Sequence, residues 1–282
     1  MKEQKSLFIE NSRQGRNNWY LPILLLIACL LFLLLINFSL NLYIIPIIRK
    51  IVPVDLYDNE NFYSLVTGIV FWIFIIFLYT IYPKVHQRSF FTLINANGLN
   101  FRWSSFFQGL FIWGFLTFFY NIFTNKEGLD IFINQFNFNS FLIIIAINLI
   151  FCSSQTLLEE LVFRGYLMQT IGRKIKKHII VNIIISLLFG VIHIYFGLEA
   201  FISSFVFALV VNAIVLREEG IERAYGIHLA NNFVFGSFFV NFDSYLEKEF
   251  STHIDWFDLS LDITSLLILF FLSNILIKRN RH

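Results

Sequence analysis

Along the chain, long apolar runs alternate with short polar stretches, and the runs set the elements. A helix that spans a bilayer needs about 20 consecutive, mostly apolar residues. Eight stretches meet or approach that length: Leu21–Ile45, Tyr63–Tyr82, Ser104–Thr124, Ser140–Met168, Ile179–Gly197, Ala200–Leu216, Ile227–Val240 and Ser260–Ile277. The expected fold class is therefore all-α, a polytopic membrane protein of about eight transmembrane helices. The first run exceeds the roughly 15 residues of a signal-peptide core and is not followed by an evident small-residue cleavage site, so it is expected to stay as a helix. No internal repeat or low-complexity linker divides the chain. Residues 1–20 read as a cytoplasmic N-terminal tail and 21–282 as a single integral membrane domain.

Composition agrees. Of the 282 residues 57% are hydrophobic and only 14% charged, with a mean hydropathy of +0.69, against about 25% charged in a typical soluble domain. That excludes a soluble enzyme, a disordered region, a nucleic-acid-binding module and a disulfide scaffold. The net charge of +2 is too small to imply an anionic partner. With 37 phenylalanines in the chain, aromatic clusters carry no weight as a cofactor box. Cys29 and Cys152 both lie in apolar stretches and fit neither a disulfide framework nor a CxxC metal site.

The basic residues orient the chain, because lysine and arginine collect on the cytoplasmic side. The N-terminal tail, the second, fourth and sixth loops and the C-terminal tail together hold 16 of them, among them Lys84, Arg102, Arg173, Arg217, Arg223 and Lys278. The opposite loops hold four: Arg49, Lys50, Lys126 and Lys248. Both termini are thus expected in the cytoplasm. The seventh loop is acidic, with Asp243, Glu247, Glu249, Asp255 and Asp258.

That sorting leaves three charged residues deep within the spans, Glu159, Glu160 and Arg164, with His193, His228 and the amide Asn232 beside them. Ionisable groups inside a bilayer are costly and so are functional candidates by default. Glu160 and Arg164 lie four apart, on one helix face, in the order that favours an ion pair. Glu159 then sits about 100° round the helix without a local partner. A carboxylate in an apolar setting suits a general base. The bland alternative ends the helix at the membrane surface here; but the basic run begins only at Arg173, about 21 Å further on if the helix continues. His193 lies about 24 Å beyond Lys177 on the next span, a similar depth to Glu159, although a lone histidine is ordinarily a packing residue. His228 and Asn232 share a face, and both can donate to one oxyanion. His228 lies only five residues past Arg223, which requires the sixth loop to dip inward so that this helix starts below the surface.

These residues resemble the CPBP (CAAX protease and bacteriocin-processing) family of intramembrane glutamic endopeptidases, which includes CAAX prenyl protease 2 and Abi-like proteins. The family pattern EExxxR, FxxxH, HxxxN reads here as Glu159-Glu160-Leu161-Val162-Phe163-Arg164, Phe189-Gly190-Val191-Ile192-His193 and His228-Leu229-Ala230-Asn231-Asn232. The likeness covers residues 140–241 and departs from the pattern at none of these positions. It implies an active site between helices 4, 5 and 7. Glu159 and His193 would activate water, His228 and Asn232 would stabilise the oxyanion, and Glu160 and Arg164 would order the site. The implied substrate is a membrane-associated peptide or protein, prenylated or destined for secretion.

Other readings stay open at this level. Two histidines and a glutamate on separate helices are compatible with a metal site; the resemblance implies a mechanism with no metal and no cofactor, and neither an HExxH nor a GxSxG motif is present. A non-catalytic peptide-binding or immunity protein would keep the same fold, and a proton-coupled transporter would use Glu159 and the histidines as a relay. The expected partners are the lipid bilayer and a peptide substrate, with no nucleic acid, and the expected setting is a bacterial plasma membrane. Substrate identity, cleavage site and oligomeric state are not legible.

Overall fold

The computed structural model describes residues 6–40, 42, 46, 60–134, 136–239 and 251–279. The end of the first expected span towards Ile45 therefore lies outside the described residues. So do Lys2, Lys5, Arg49, Lys50, Lys248 and the acidic Asp243, Glu247 and Glu249.

The protein is an all-α polytopic membrane protein. Its long helices are α1 (Leu21–Ser39), α2 (Glu60–His86), α3 (Trp103–Thr124), α4 (Phe138–Glu160), α5 (His178–His193), α6 (Leu198–Glu218), α7 (Glu222–Phe238) and α8 (Trp256–Arg279). Among the described residues the one β contact is an isolated bridge between Asn95 and Gly220. α4 does not stop at Glu160. It runs on through Leu161–Leu167 in π geometry and Met168–Gly172 in α geometry, a stretch of 35 residues or about 52 Å. That exceeds a hydrocarbon core of about 30 Å, and Glu159 falls near its middle.

Six of these helices, α2 to α6 and α8, are long and apolar enough to cross a membrane. The other two of the eight expected spans are shorter within the described residues. The apolar part of α1 covers Leu21–Ile36. α7 has only 17 residues, and its first nine, Glu222–Ala230, are all buried. Protein rather than lipid surrounds its beginning, so polar side chains are tolerated there.

The packing is inside-out relative to a soluble protein. Large apolar side chains face outwards, among them Leu34 on α1, Phe111 on α3, Ile179 on α5 and Phe271 on α8. Ser154, Glu160, Arg164, Ser186, Asn212, Glu222 and Arg223 are each fully buried. Without a hydrophobic drive between helices in lipid, association relies on close packing and interhelical hydrogen bonds. α3 and α7 show the first. A Cβ on Gly109 would lie 2.4 Å from the carbonyl oxygen of Arg223, and one on Gly226 would lie 2.1 Å from that of Phe106. α4 and α7 show the second: Asn148 Nδ2 donates to the Gly236 carbonyl at 2.9 Å, and Tyr225 donates its hydroxyl proton to the Ser153 carbonyl at 3.2 Å.

One end of the bundle is closed by polar contacts. Residues 6–13 dock there, with Phe8 and Ile9 buried and Asn11 Nδ2 donating to the carbonyls of Asn95 and Ala96. The turn from α6 to α7 passes through Glu219 in the left-handed region (φ 58°). It is held by Ala96 N–H donating to Glu219 O and Ile221 N–H donating to Ile94 O. Two arginines counted above as loop charges turn out to be structural. Arg223 is fully buried and bonds to Glu218 at 2.8 Å; Arg102 bonds to the buried Glu222 at 2.5 Å. The basic asymmetry between the two sides persists without them.

The α3–α7 approach predicts a clear contrast. Gly226→Leu forces side-chain atoms into backbone and should destabilise the protein by about 1–3 kcal/mol or more, seen as a lower thermal-unfolding midpoint in detergent. Gly114→Ala, whose new Cβ would stand 3.6 Å from the Ala230 Cβ, should leave that midpoint unchanged.

Candidate active site

The site begins at the α-to-π junction of the fourth helix. The two glutamates end the α segment, and Arg164 sits in the π segment, where Met168 N–H bonds back five residues to the Phe163 carbonyl. Insertions of π geometry recur at functional sites. Here the widened turn lies against the loop before α3: a Cβ on Gly165 would stand 2.7 Å from the Leu93 carbonyl oxygen. Only a residue without a side chain lets the loop come so close.

Arg164 Nη1 donates to Glu160 Oε1 at 3.0 Å, both side chains being wholly buried, so the expected pair is present. The guanidinium does more. Its Nε donates to Asn212 Oδ1 on α6 at 2.9 Å, and its Cζ lies 4.3 Å from the centre of the Phe189 ring on α5. The hydrogen bonds continue outwards. Asn212 Nδ2 donates to Ser186 Oγ at 2.9 Å, Ser186 donates to Asn182 Oδ1 at 3.1 Å, and Asn182 Nδ2 donates to the Leu209 carbonyl at 3.0 Å. One arginine is thereby tied to three helices.

Glu160 also accepts from His228 on α7, Nδ1 to Oε1, at 2.9 Å. Because a carboxylate only accepts, His228 carries its proton on Nδ1 and turns Nε2 towards Glu159, 3.8 Å from Oε2. Glu159 is one-fifth exposed at its side chain, against none for Glu160. The expectation that Glu159 lacks a local partner is corrected: Gln155 Nε2, four residues earlier on the same helix face, donates to its Oε1 at 3.2 Å. His193 ends α5 with Nδ1 2.8 Å from the Phe189 carbonyl. A carbonyl only accepts, so Nδ1 bears the hydrogen and the Nε2 lone pair is left basic. The Phe189 ring lies between the two histidines, its centre 4.7 Å from the His193 ring and 5.7 Å from that of His228.

Five of the six expected residues thus gather around Phe189 and the ion pair. Asn232 stands one turn beyond His228 on α7; its Oδ1 accepts from Asn231 Nδ2 at 3.3 Å, and Asn231 Oδ1 accepts from Trp113 Nε1 at 3.1 Å. His228 and Asn232 lie four residues apart on α7, and the Nδ1 hydrogen of His228 is engaged by Glu160. Among the described residues no group of three or more His, Cys, Asp or Glu is arranged to hold a metal ion.

Several buried polar residues escaped the sequence reading. Asn182, Ser186 and Asn212 are single polar positions inside otherwise apolar runs, the same signal that singled out His193. Glu222 and Arg223 were hidden in a cluster that reads as a charged loop, Arg217-Glu218-Glu219-Gly220-Ile221-Glu222-Arg223.

Removing one partner of a buried ion pair strands the other charge, at a cost of about 3–5 kcal/mol. Arg164→Met should lower the thermal-unfolding midpoint accordingly. Adding Glu160→Gln, whose amide oxygen still accepts from His228, should restore most of the loss.

Residues 137–234 match the family model described as Rce1-like, type II CAAX prenyl endopeptidase, and all six motif residues lie within that segment. The chain is also 33% identical over 108 residues to the uncharacterized protein YyaK of Bacillus subtilis (strain 168), and spans about a third (35%) of that relative's length. No solved structure matches the chain.

Proposed function

We propose that this chain, whose residues 137–234 match the Rce1-like CAAX endopeptidases, is an intramembrane peptidase that hydrolyses a peptide bond with a glutamate-activated water. The observation that carries the reading is the convergence of Glu159, His228 and His193 over a fully buried Glu160–Arg164 pair. A carboxylate and two imidazoles held together inside the bundle have no evident structural purpose that an apolar contact would not serve.

The chemistry follows from the protonation each contact demands. Glu159 takes a proton from water, and the resulting oxygen attacks the scissile carbonyl carbon. His193, its Nδ1 proton committed to the Phe189 carbonyl, accepts from the same water through Nε2 and orients it. The carbonyl oxygen becomes an oxyanion. The Asn232 amide and His228 donate to it. For His228 to donate from Nε2 while Nδ1 donates to Glu160, both ring nitrogens must carry a hydrogen. The C–N bond then breaks as Glu159 returns its proton to the leaving amine. Gln155 and Arg164 position the two glutamates and touch no reacting atom.

The substrate proposed is a membrane-associated peptide, with a prenylated C-terminal segment and a secreted-peptide precursor as the two candidate classes. Both termini are proposed to be cytoplasmic, on the basic asymmetry of the loops, in a bacterial plasma membrane.

The test is cleavage of a farnesylated CAAX peptide, and of the same peptide without the prenyl group, by purified protein in detergent. Glu159→Ala and His193→Ala should each lower the rate by about 10²–10⁴-fold, and Asn232→Ala by about 10²–10³-fold. Equal cleavage by wild type and all three variants removes the assigned roles. A cellular phenotype that survives Glu159→Gln favours a non-catalytic peptide binder.

A further inference from the structure

The side-chain amide of Asn232 has a donor end and an acceptor end of nearly the same shape, and only the NH₂ end can stabilise an oxyanion. Turned over by half a rotation, the same side chain would present Oδ1 and repel the developing charge. Which end meets the reacting carbonyl is therefore decided by what holds the other end. Two hydrogen bonds in series hold it. The indole of Trp113 on α3 donates from Nε1 to Asn231 Oδ1 at 3.1 Å, and Asn231 Nδ2 donates to Asn232 Oδ1 at 3.3 Å. An indole N–H can only donate, so the end of the Asn231 amide that meets it must be the oxygen. The NH₂ end of Asn231 then faces Asn232, where only Oδ1 can accept from it. Nδ2 of Asn232 is left at the opposite end, without a hydrogen-bond partner among the described residues.

Trp113 is itself held in place. Its side chain is buried, its ring centre lies 6.2 Å from that of Phe207 on α6, and Phe207 lies 5.6 Å from the ring of His228. One aromatic wall thus backs both His228 and the indole. The close approach of α3 and α7 brings the indole within reach, since a Cβ on Gly114, the next residue, would stand 3.6 Å from the Cβ of Ala230, the residue before Asn231. Joining the two helices needs the Trp113–Asn231 bond alone. The second bond joins neighbours on one helix, whose side chains ordinarily diverge by about 100°, and it adds nothing to helix association.

We propose that Trp113 and Asn231 are positioning residues for Asn232, a donor relay that keeps its Nδ2, and not its Oδ1, towards the scissile carbonyl. The inference rests on the peptidase reading above and adds to it two residues that none of the three sequence motifs specifies. Neither touches a reacting atom, and both act through the Asn232 amide. The indole is the member of the series with no acceptor, so it fixes the polarity of both amides.

A double-mutant cycle on peptide cleavage in detergent tests it. Trp113→Phe keeps a ring but removes the N–H, and Asn231→Leu removes both amide ends. Each should lower kcat by about tenfold, the scale of one hydrogen bond. KM should not change, because the oxyanion forms only on the way to the transition state. In an Asn232→Ala background the same substitutions should change kcat by less than about twofold. Equal losses in both backgrounds, or a raised KM with kcat unchanged, overturn the relay. If Asn232→Ala is slow while Trp113→Phe and Asn231→Leu match wild type, the relay alone falls. If wild type and Asn232→Ala cleave equally, the oxyanion role falls and the relay with it. The indole N–H proton resonance of Trp113, assigned by its loss in Trp113→Phe, reads the first bond without turnover. It should move upfield in Asn231→Leu, and an unmoved resonance overturns the relay whatever the rates. Should Trp113→Phe fail to fold, Asn231→Leu, at a half-buried position, decides through the same cycle.

Discussion

Two opposite charges, Glu160 and Arg164, lie wholly out of solvent in the middle of an apolar bundle, and the arrangement of four helices follows from what they need. Desolvating a carboxylate and a guanidinium costs several kcal/mol each, and their mutual attraction offsets that only when the remaining donors and acceptors are also engaged. One helix turn cannot provide this. Asn212 on α6 takes the Nε proton, the Phe189 ring on α5 covers the guanidinium face, and His228 on α7 donates to the carboxylate. Each partner arrives from a different helix, so the ion pair ties α5, α6 and α7 to α4, while Glu160 Oε2 and Arg164 Nη2 stay buried without a hydrogen-bond partner among the described residues.

The same constraint aims Glu159 and the two histidines. Because Glu160 holds Nδ1 of His228, that ring can only present Nε2, and it presents it to Glu159. Because Phe189 is clamped by Arg164, its ring and its carbonyl hold His193 from two directions. The pair thus holds one carboxylate and two imidazoles in place. The glycine contacts between α3 and α7 complete the arrangement, since α7 can lie deep in protein only if its backbone meets that of α3 directly.

The seventh helix shows why local reading was incomplete. By composition Glu222 and Arg223 resemble solvated loop charges, and His228 lies only five residues past Arg223. Their burial depends on the loop around Asn95 and Arg102, more than a hundred residues earlier, folding over the start of the helix. No periodicity within Glu222–Phe238 carries that information. The π segment after Glu160 is likewise tied to a distant contact, the approach of the Leu93 carbonyl to Gly165.

The order of apolar runs and the scarcity of charge determined, without any structure, that this is a helical membrane protein. They also isolated Glu159, Glu160, Arg164, His193, His228 and Asn232, because an ionisable or amide group in a lipid-facing run stands out against its neighbours. Helical spacing alone was enough to pair Glu160 with Arg164. Tertiary structure decided what spacing cannot carry: which histidine meets which glutamate, which ring nitrogen keeps its proton, and which charges of the apparent loops are buried. It also revealed Asn212, Ser186 and Asn182 as one chain of hydrogen bonds. The physical reason is the range of the two kinds of information. Hydrophobicity and helical spacing act over a few residues along the chain, whereas desolvated charges are satisfied by whatever the fold brings within about 3 Å.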